Sequence, residues 1–282
     1  MGIRIDLRQR WIGIRVALRQ IWAFTMRDYH SWTTYRSTVY TQIINIFIGV
    51  ISWGVNATYV NRQVSQMYGT DYISFLVVGV AIGNLIMPLV QGVQSELNPW
   101  TLETILTTGM GTSAFVIGNV MWRYLFSVFT FIPYLIIGIY VFHVTLNANV
   151  PSVIVAFIVS AAILLGLAMI STGVRIVTKS TDPITWAINV LQSIFAGVAF
   201  PVVYLDTIFF PGVSMISWLL PQTWVYHLCR LSMLTNPSLS DPQFLIQLLK
   251  GSVFAFILFP VGYKIFQWGV NRSKKEGTLG WY

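Results

Sequence analysis

Residues 150–174 read VPSVIVAFIVSAAILLGLAMISTGV, a stretch without a single charged side chain. An α-helix rises about 1.5 Å per residue, so about 20 predominantly apolar residues are enough to cross the hydrocarbon layer of a bilayer. The stretch therefore predicts a helix that spans a membrane.

The rest of the chain has the same character. Of its 282 residues, 55% are hydrophobic and only 9% are charged, whereas about a quarter of the residues of a soluble domain are charged. So few charges cannot coat a globule in water, and five further apolar runs have membrane-spanning length: residues 39–60, 72–94, 114–144, 184–204 and 251–270. We predict an all-α integral membrane protein with six transmembrane helices between residues 39 and 270.

The net charge of +8 is concentrated at the two ends of the chain. Basic residues before the first run are Arg4, Arg8, Arg10, Arg15, Arg19, Arg27 and Arg36, and Arg272, Lys274 and Lys275 follow the last run. Six spans put both termini on one side, and basic residues at membrane edges favour the cytoplasm. We expect a plasma-membrane protein with a cytoplasmic tail at 271–282, and no nucleic acid partner.

Residues 1–38 carry apolar side chains at helical spacing beside a basic stripe. The apolar positions are Trp11, Ile14, Leu18, Ile21 and Trp22, and the stripe consists of Arg4, Arg8, Arg15 and Arg19. This pattern predicts an amphipathic helix that lies in the cytoplasmic membrane interface. A calmodulin-like target sequence is the alternative interpretation.

Two short apolar stretches, 208–220 and 223–234, follow the fifth run and are too short to cross a bilayer. By the predicted topology they lie outside the cell. We expect short re-entrant or outer-leaflet helices over residues 205–235, where irregular backbone must be buried in protein or line a cavity.

Small and polar residues within the runs predict contacts between helices. Gly79 and Gly83 form a small-xxx-small pair, which allows close helix approach either inside one bundle or between two copies of the chain. The amides of Gln42, Asn45 and Asn56 interrupt the first run, and we expect them to face other helices, where they can be satisfied.

The sequence gives no sign of a catalytic or metal centre. The chain has one cysteine, Cys229, and its histidines are His30, His143 and His227, which lie far apart. No spacing fits a metal site, and no Walker-type glycine loop is present. The cores of the predicted spans hold no acidic residue, which disfavours an ion-coupled carrier. We expect no enzyme activity, no cofactor and no metal in this chain.

The polar segment SELNPWTLETILTTG, residues 95–109, separates the second and third runs and falls on the cytoplasmic side. Glu96 and Glu103 are seven residues apart and share a helix face, and Leu102, Ile105 and Leu106 provide apolar anchors. The pattern favours a helix that docks against a partner. A solvated helical connector is the alternative.

The segment resembles the cytoplasmic signature of type 2 ATP-binding cassette exporter permeases of the multidrug and daunorubicin exporter kind, E-x-x-x-G-T-L-E-x-L-L-x-T-P. Glu96, Thr101-Leu102-Glu103, Leu106 and Thr108 match this pattern, while Trp100 and Gly109 depart from it at its Gly and Pro. A second match is Phe200-Pro201, Leu220-Pro221, Thr223-Trp224 and Arg230, where Trp224 replaces the usual Tyr. With the six-run layout, the resemblance covers nearly the whole chain.

The resemblance implies a permease that pairs with a second copy, as a homodimer or a similar heterodimer, and binds two cytosolic ATPase subunits that hold ATP and Mg. Residues 95–109 would be the coupling helix, with the ATPase-coupling residues Glu96, Trp100, Thr101, Leu102, Glu103 and Leu106. A substrate path between paired spans would include the aromatic residues Phe47, Trp53, Phe195, Phe200 and Tyr204. External gate residues would be Pro201, Pro221, Trp224 and Arg230.

The expected function is export of an amphipathic small molecule or lipid from the cytoplasm, driven by the separate ATPase. Three alternatives remain: an exporter of a lipid-linked glycan, a passive channel or scramblase, and a membrane enzyme acting on lipid-linked substrates. The only candidates for the chemistry of such an enzyme are Asp206, His227, Arg230 and Asp241.

Overall fold

The computed structural model describes residues 2–59, 71–95, 112–178 and 183–276. Across these ranges the chain is helical and contains no strand. In chain order the helices are α1 Gly2–Thr34, α2 Arg36–Tyr59, α3 Tyr72–Ser95, α4 Thr112–Phe142, α5 Val150–Thr178, α6 Pro183–Phe195, α7 Leu205–Ile208, α8 Val213–Leu219, α9 Pro221–Leu234 and α10 Pro242–Lys275, with a 3₁₀ turn at Val202–Tyr204.

Three helices in the described part of the chain are long and apolar enough to cross a membrane. These are Met121–Phe142 within α4, Val150–Thr178, which is α5, and Pro242–Lys275, which is α10. Shorter apolar helices cover Val39–Gly54 in α2 and Tyr72–Ile86 in α3. The prediction of an all-helical membrane protein is therefore confirmed, and the number of six spans stays a prediction.

The predicted fifth span, residues 184–204, differs most from the structure. Helix α6 ends at Phe195 after 13 residues, which is about 20 Å at 1.5 Å per residue. The chain then leaves helical geometry because Gly197 has a φ of +74°, and the missing N–H of Pro201 prevents a continuous helix. Residues 205–235, predicted to form short helices, hold α7, α8 and α9, and their depth in the bilayer stays a prediction.

Helices α5 and α10 run parallel to each other along a seam of glycines. Gly166 faces Gly262, and Gly173 faces Gly269, so that a Cβ on either α10 glycine would collide with the carbonyl oxygen of its α5 partner. The glycines are seven residues apart on both helices. The two backbones thus touch directly, as small residues allow in membrane bundles.

Helix α3 is the buried centre of the bundle. Phe75, Leu76, Val77 and Val78 are four consecutive buried residues, and four consecutive residues point to all sides of a helix. This burial results from helices packed on several sides: α3 contacts α2, α4, α5 and α9.

The directions of the helices follow from the residues that meet. Ser74 near the start of α3 accepts a hydrogen bond from the backbone N–H of Thr145, just after α4 ends (2.9 Å), so α3 and α4 are antiparallel. Gly79 and Gly83 of α3 meet Arg230 and Tyr226 of α9 in reverse order, so these two helices are antiparallel as well.

The remaining directions complete one arrangement. Helix α9 is antiparallel to α5, because Ser160 meets Cys229 while Ser152 donates to the carbonyl oxygen of Pro237. Helix α2 is parallel to α4, because Gly49 and Gly54 face Tyr134 and Phe142 in the same order. One end of the bundle therefore holds the last turns of α3, α5 and α10 and the first turns of α2 and α4. We call it the basic end, because Arg175, Arg272, Lys274 and Lys275 lie in the last turns of α5 and α10.

Candidate functional site

Arg230 on α9 is a charged residue buried in the bundle, with only 2% of its surface exposed. Its guanidinium donates hydrogen bonds to the carbonyl oxygens of Gly197 and Val198, the second at 2.5 Å. The guanidinium carbon also lies 3.7 Å from the centre of the Phe75 ring. A buried charge is costly unless it is hydrogen-bonded. Here carbonyls and an aromatic face replace water and hold the irregular chain after α6 against α3 and α9.

Two glycines of α3 make room for this arrangement. A Cβ on Gly79 would collide with the guanidinium of Arg230 and would lie 2.5 Å from the carbonyl oxygen of Val198. A Cβ on Gly83 would lie 2.9 Å from the hydroxyl of Tyr226. Of the two interpretations of the small-residue pair, packing within one bundle is the one observed in this chain.

Three of the four predicted gate residues, Pro201, Trp224 and Arg230, lie around the same place. Pro201 and Arg230 line one small cavity together with Trp218, and the indole of Trp224 donates to the backbone carbonyl of Trp218 at 2.8 Å. Pro221 is the first residue of α9. The structure thus brings the two halves of the second motif together, and their role as a gate stays a prediction.

The five predicted path residues do not converge on one cavity. Phe47 and Trp53 on α2 are about half exposed, at 50% and 43%. Phe195 stacks near Phe209, with ring centres 6.3 Å apart, and Phe200 packs with Phe195 against a small cluster formed by Val202, Leu205 and Val213. Tyr204 lies in the 3₁₀ turn and is half-buried.

The predicted ATPase-coupling residues lie outside the described part of the chain: Glu96, Trp100, Thr101, Leu102, Glu103 and Leu106. Their neighbours on both sides are described. Ser95 ends α3 and Thr112 begins α4, so both attachment points of this segment lie at the basic end.

A cavity of about 450 Å³ lies between α1, α2, α3 and α4. We call it the polar cavity because amides and hydroxyls from all four helices contribute to its wall. Its lining consists of Asp28, Ser31, Trp32, Tyr35, Gln42, Asn45, Ile46, Asn84, Trp122, Arg123, Phe126, Thr130 and Tyr134. Gln42 and Asn45 both line this half-open cavity, and Asn45 is itself exposed. That the amides, including Asn56, whose side chain lies outside the described part of the structure, are satisfied by other helices stays a prediction.

Helical periodicity accounts for this lining. Trp122, Phe126, Thr130 and Tyr134 follow one another at four-residue intervals on α4, which places them along one side of the helix. Twelve residues separate the first from the last, so the cavity extends about 18 Å along α4. Within the long apolar run this four-residue pattern is the only sequence signal that could have identified them.

The two ends of the polar cavity differ in charge. Asp28 and Arg123 lie at the end toward the start of α4, and the carboxylate of Asp28 also pairs with Arg27 at 2.6 Å. Farther along, Asn84 and Tyr134 line the cavity, and the hydroxyl of Tyr134 approaches Gly49 so closely that a Cβ there would collide with it. The cavity therefore has a charged mouth and a neutral floor.

Aromatic contacts between α1 and α4 form one wall of the polar cavity. The rings of Trp32 and Phe126 lie 5.1 Å apart, and those of Trp122 and Phe126 lie 6.1 Å apart. The buried indole N–H of Trp32 has no hydrogen-bond acceptor among the described residues. The faces of the aromatic rings thus make this wall apolar, and the indole N–H of Trp32 offers a hydrogen-bond donor.

The acids considered for a membrane enzyme have local structural partners. Asp206 accepts hydrogen bonds from the backbone of Gly212 and from both the backbone and the hydroxyl of Ser214, and the Ser214 contacts hold the pKa of Asp206 below its usual range. Asp241 caps α10 by accepting from the backbone N–H of Gln243 at 2.9 Å. In the described ranges, no three His, Cys, Asp or Glu side chains are grouped as a metal site would require.

Comparisons with known proteins leave the family open. No known protein family matches the chain, and no curated protein is similar to it. The likeness to exporter permeases therefore rests on the two sequence motifs quoted above.

Proposed function

We propose that the chain is the membrane permease subunit of an ATP-driven exporter, powered by separate ATPase subunits. One observation carries the proposal. Helices α3 and α4 are antiparallel, and both attachment points of residues 96–111 lie at the basic end of the bundle. The attachment points and the basic ends of α5 and α10 then share the side that the basic residues assign to the cytoplasm, which is the side where a coupling segment would meet its ATPase.

This arrangement supports a contact with a cytosolic ATPase. The segment joins two helices that pack against each other, so a force on it would act on both α3 and α4. The chain itself has no Walker-type loop, which means that ATP and Mg would be bound by the partner. A second copy of the permease would complete the transport path, as the resemblance implies.

Cysteine accessibility tests the position of the segment. Cys229 is the only cysteine and is buried, so a Cys229→Ser background permits a single reporter at Glu103→Cys. A membrane-impermeant maleimide should label this cysteine only in lysed cells, and only after the membranes are stripped of peripheral proteins. Lys275→Cys, an exposed position at the basic end, is the matched control and should react in lysed cells without stripping.

Two results would contradict the proposal. Labelling of Glu103→Cys in intact cells would place the segment outside the cell. Rapid flux of solutes or lipids through liposomes that contain the purified chain alone would instead support the passive channel or scramblase, since that function needs no ATPase.

A further inference from the structure

We propose that the polar cavity binds the head group of the exported molecule, and that this head group is neutral and rich in hydroxyls, like a sugar that carries an apolar tail. This inference deepens the proposed function and rests on it for the direction of transport. The binding itself requires only the residues of α1 to α4.

The first argument is the presence of polar side chains deep in apolar helices. Gln42, Asn45 and Asn84 lie within the shorter apolar stretches of α2 and α3, and Thr130 lies within the membrane-length stretch of α4. Polar side chains at such depth are costly against lipid and mark ligand or ion pathways. Their convergence from three different helices on one cavity indicates a site for a polar ligand.

The second argument is the chemistry of these groups. Each carboxamide offers both donors and acceptors, and each hydroxyl can act as either. A hydroxyl-rich ligand has the same dual character and can pair with several of them at once. The free indole N–H of Trp32 adds a donor, and the volume of about 450 Å³ falls within the range of about 300–1,000 Å³ for small-molecule sites.

The aromatic wall fits the apolar face of such a head group. Trp32, Trp122 and Phe126 lie together beside the amides. A sugar ring has C–H groups on its faces and hydroxyls around its edge, so it can lie against aromatic rings while its edge reaches the amides. Large flat side chains contribute most of the contact area in sites of this kind.

The deeper part of the cavity does not suit a phosphate or ammonium head group. The charged residues Asp28 and Arg123 lie at the mouth, where Asp28 pairs with Arg27. The deeper lining of Asn45, Asn84, Thr130 and Tyr134 is neutral. A ligand with net charge would lose its hydration there without meeting a counter-charge.

An apolar tail has a place next to the cavity. Asn45 of α2 lines the cavity and is itself exposed, and its neighbours Ile44, Phe47 and Ile48 are exposed at 56%, 50% and 58%. A chain attached to the bound head group could therefore leave along the outer apolar face of α2. This places Phe47, predicted as a path residue, beside the tail rather than the head.

Photolabelling of the purified chain tests the binding site without any ATPase. The probe is decyl β-D-glucoside with a diazirine in its alkyl chain, and the protein is held in phosphatidylcholine nanodiscs. We expect saturable labelling of peptides from α2 and α4. Asn45→Leu should weaken it about tenfold, the cost of one or two lost hydrogen bonds, and Thr130→Phe should weaken it at least as much because the larger ring fills the cavity.

Three variants serve as controls for folding and position. Thr130→Ser keeps the hydroxyl and should bind like the native chain. Gln247→Leu removes a carboxamide from α10 that does not line the cavity, and it should have no effect. Thr130→Val is close in volume to the native side chain but lacks the hydroxyl, so its loss of labelling would separate the lost hydrogen bond from the steric block of Thr130→Phe.

Competition identifies the head group. Unlabelled decyl glucoside should compete and decyl phosphate should not; competition by free glucose would show that a soluble sugar suffices. Equal competition by decyl phosphate would overturn the inference. So would the absence of saturable labelling, since the phosphatidylcholine present in excess would then be the preferred ligand. Because no ATPase is present, failure here leaves the coupling proposal standing, and failure of coupling leaves this result standing.

Discussion

Arg230 of α9 occupies the space that Gly79 of α3 leaves open. The guanidinium lies where a Cβ of residue 79 would be, and it bonds the carbonyl oxygens of Gly197 and Val198 that follow α6. This one contact joins α3, α9 and the irregular chain between α6 and α7. The position of the second motif therefore depends on a glycine in a different helix.

Gly79→Ala should destabilise the protein by about 1–3 kcal/mol, because the added methyl overpacks a filled space. The backbone oxygen of Val198 would lie 2.5 Å from that methyl and cannot rotate away. Gly83→Ala is the matched comparison and should cost less, since its nearest atom is the hydroxyl end of the Tyr226 side chain at 2.9 Å. The thermal unfolding temperatures of both purified variants test this prediction. If Gly79→Ala were as stable as the native chain, the close contact of residue 79 with Arg230 and Val198 would be contradicted.

Gly262→Ala should separate α5 from α10, because its Cβ would meet the backbone of Gly166 rather than a movable side chain. We expect a loss of about 1–3 kcal/mol in unfolding free energy. Val261→Ala is the control on the same helix, since Val261 is 41% exposed and its truncation should have little effect. A Gly262→Ala variant that unfolds at the native temperature would show that the two backbones are not in contact.

The loop from Asp206 to Ser214 should open in acid. Its hydrogen bonds hold the pKa of Asp206 below its usual range, so the carboxylate stabilises the folded loop at any pH above its ordinary pKa of about 3.9. This contribution is lost as the pH falls through the lower, folded-state pKa. Hydrogen exchange at Gly212 and Ser214, corrected for the intrinsic rate, should accelerate over that acidic interval.

Asp206→Asn is the variant that tests this assignment. It should exchange several-fold faster at neutral pH, because a neutral amide accepts hydrogen bonds less strongly than a carboxylate, and it should lose the acidic transition. Ser240, whose backbone N–H is bonded to Ser238 without a carboxylate, provides an internal reference. An acidic transition of the same size in Asp206→Asn would assign it to another group.

Hydropathy predicted the long helices well, because each of them must satisfy its own backbone in an apolar setting. The run at 150–174 became α5 at Val150–Thr178 with the same first residue. The predicted run at 251–270 is shorter than the observed helix, because α10 starts at Pro242, directly after its N-cap residue Asp241. An Asp-Pro pair of this kind begins helices, but a prediction based on hydropathy alone does not include it.

The polar cavity could be predicted only in part. Gln42 and Asn45 stand out as amides in an apolar run, whereas Trp122 and Phe126 are unremarkable members of theirs. A cavity built from four helices depends on which faces meet, and that information is not contained in the periodicity of any single helix. The predicted aromatic path residues do not line one cavity for the same reason. The type of a residue does not show which way its side chain points from the helix.

ATP hydrolysis that co-purifies with the tagged chain from its own cells tests the ATP-driven permease most directly. The native chain should bring ATPase activity with it, and Glu103→Arg should reduce this activity at least about tenfold without loss of membrane insertion, because it reverses a charge at the docking segment. Glu276→Arg should keep the activity, since Glu276 lies at the basic end but makes only an exposed pair with Arg272. Undiminished ATPase activity with Glu103→Arg, or none with the native chain, would contradict the proposed function.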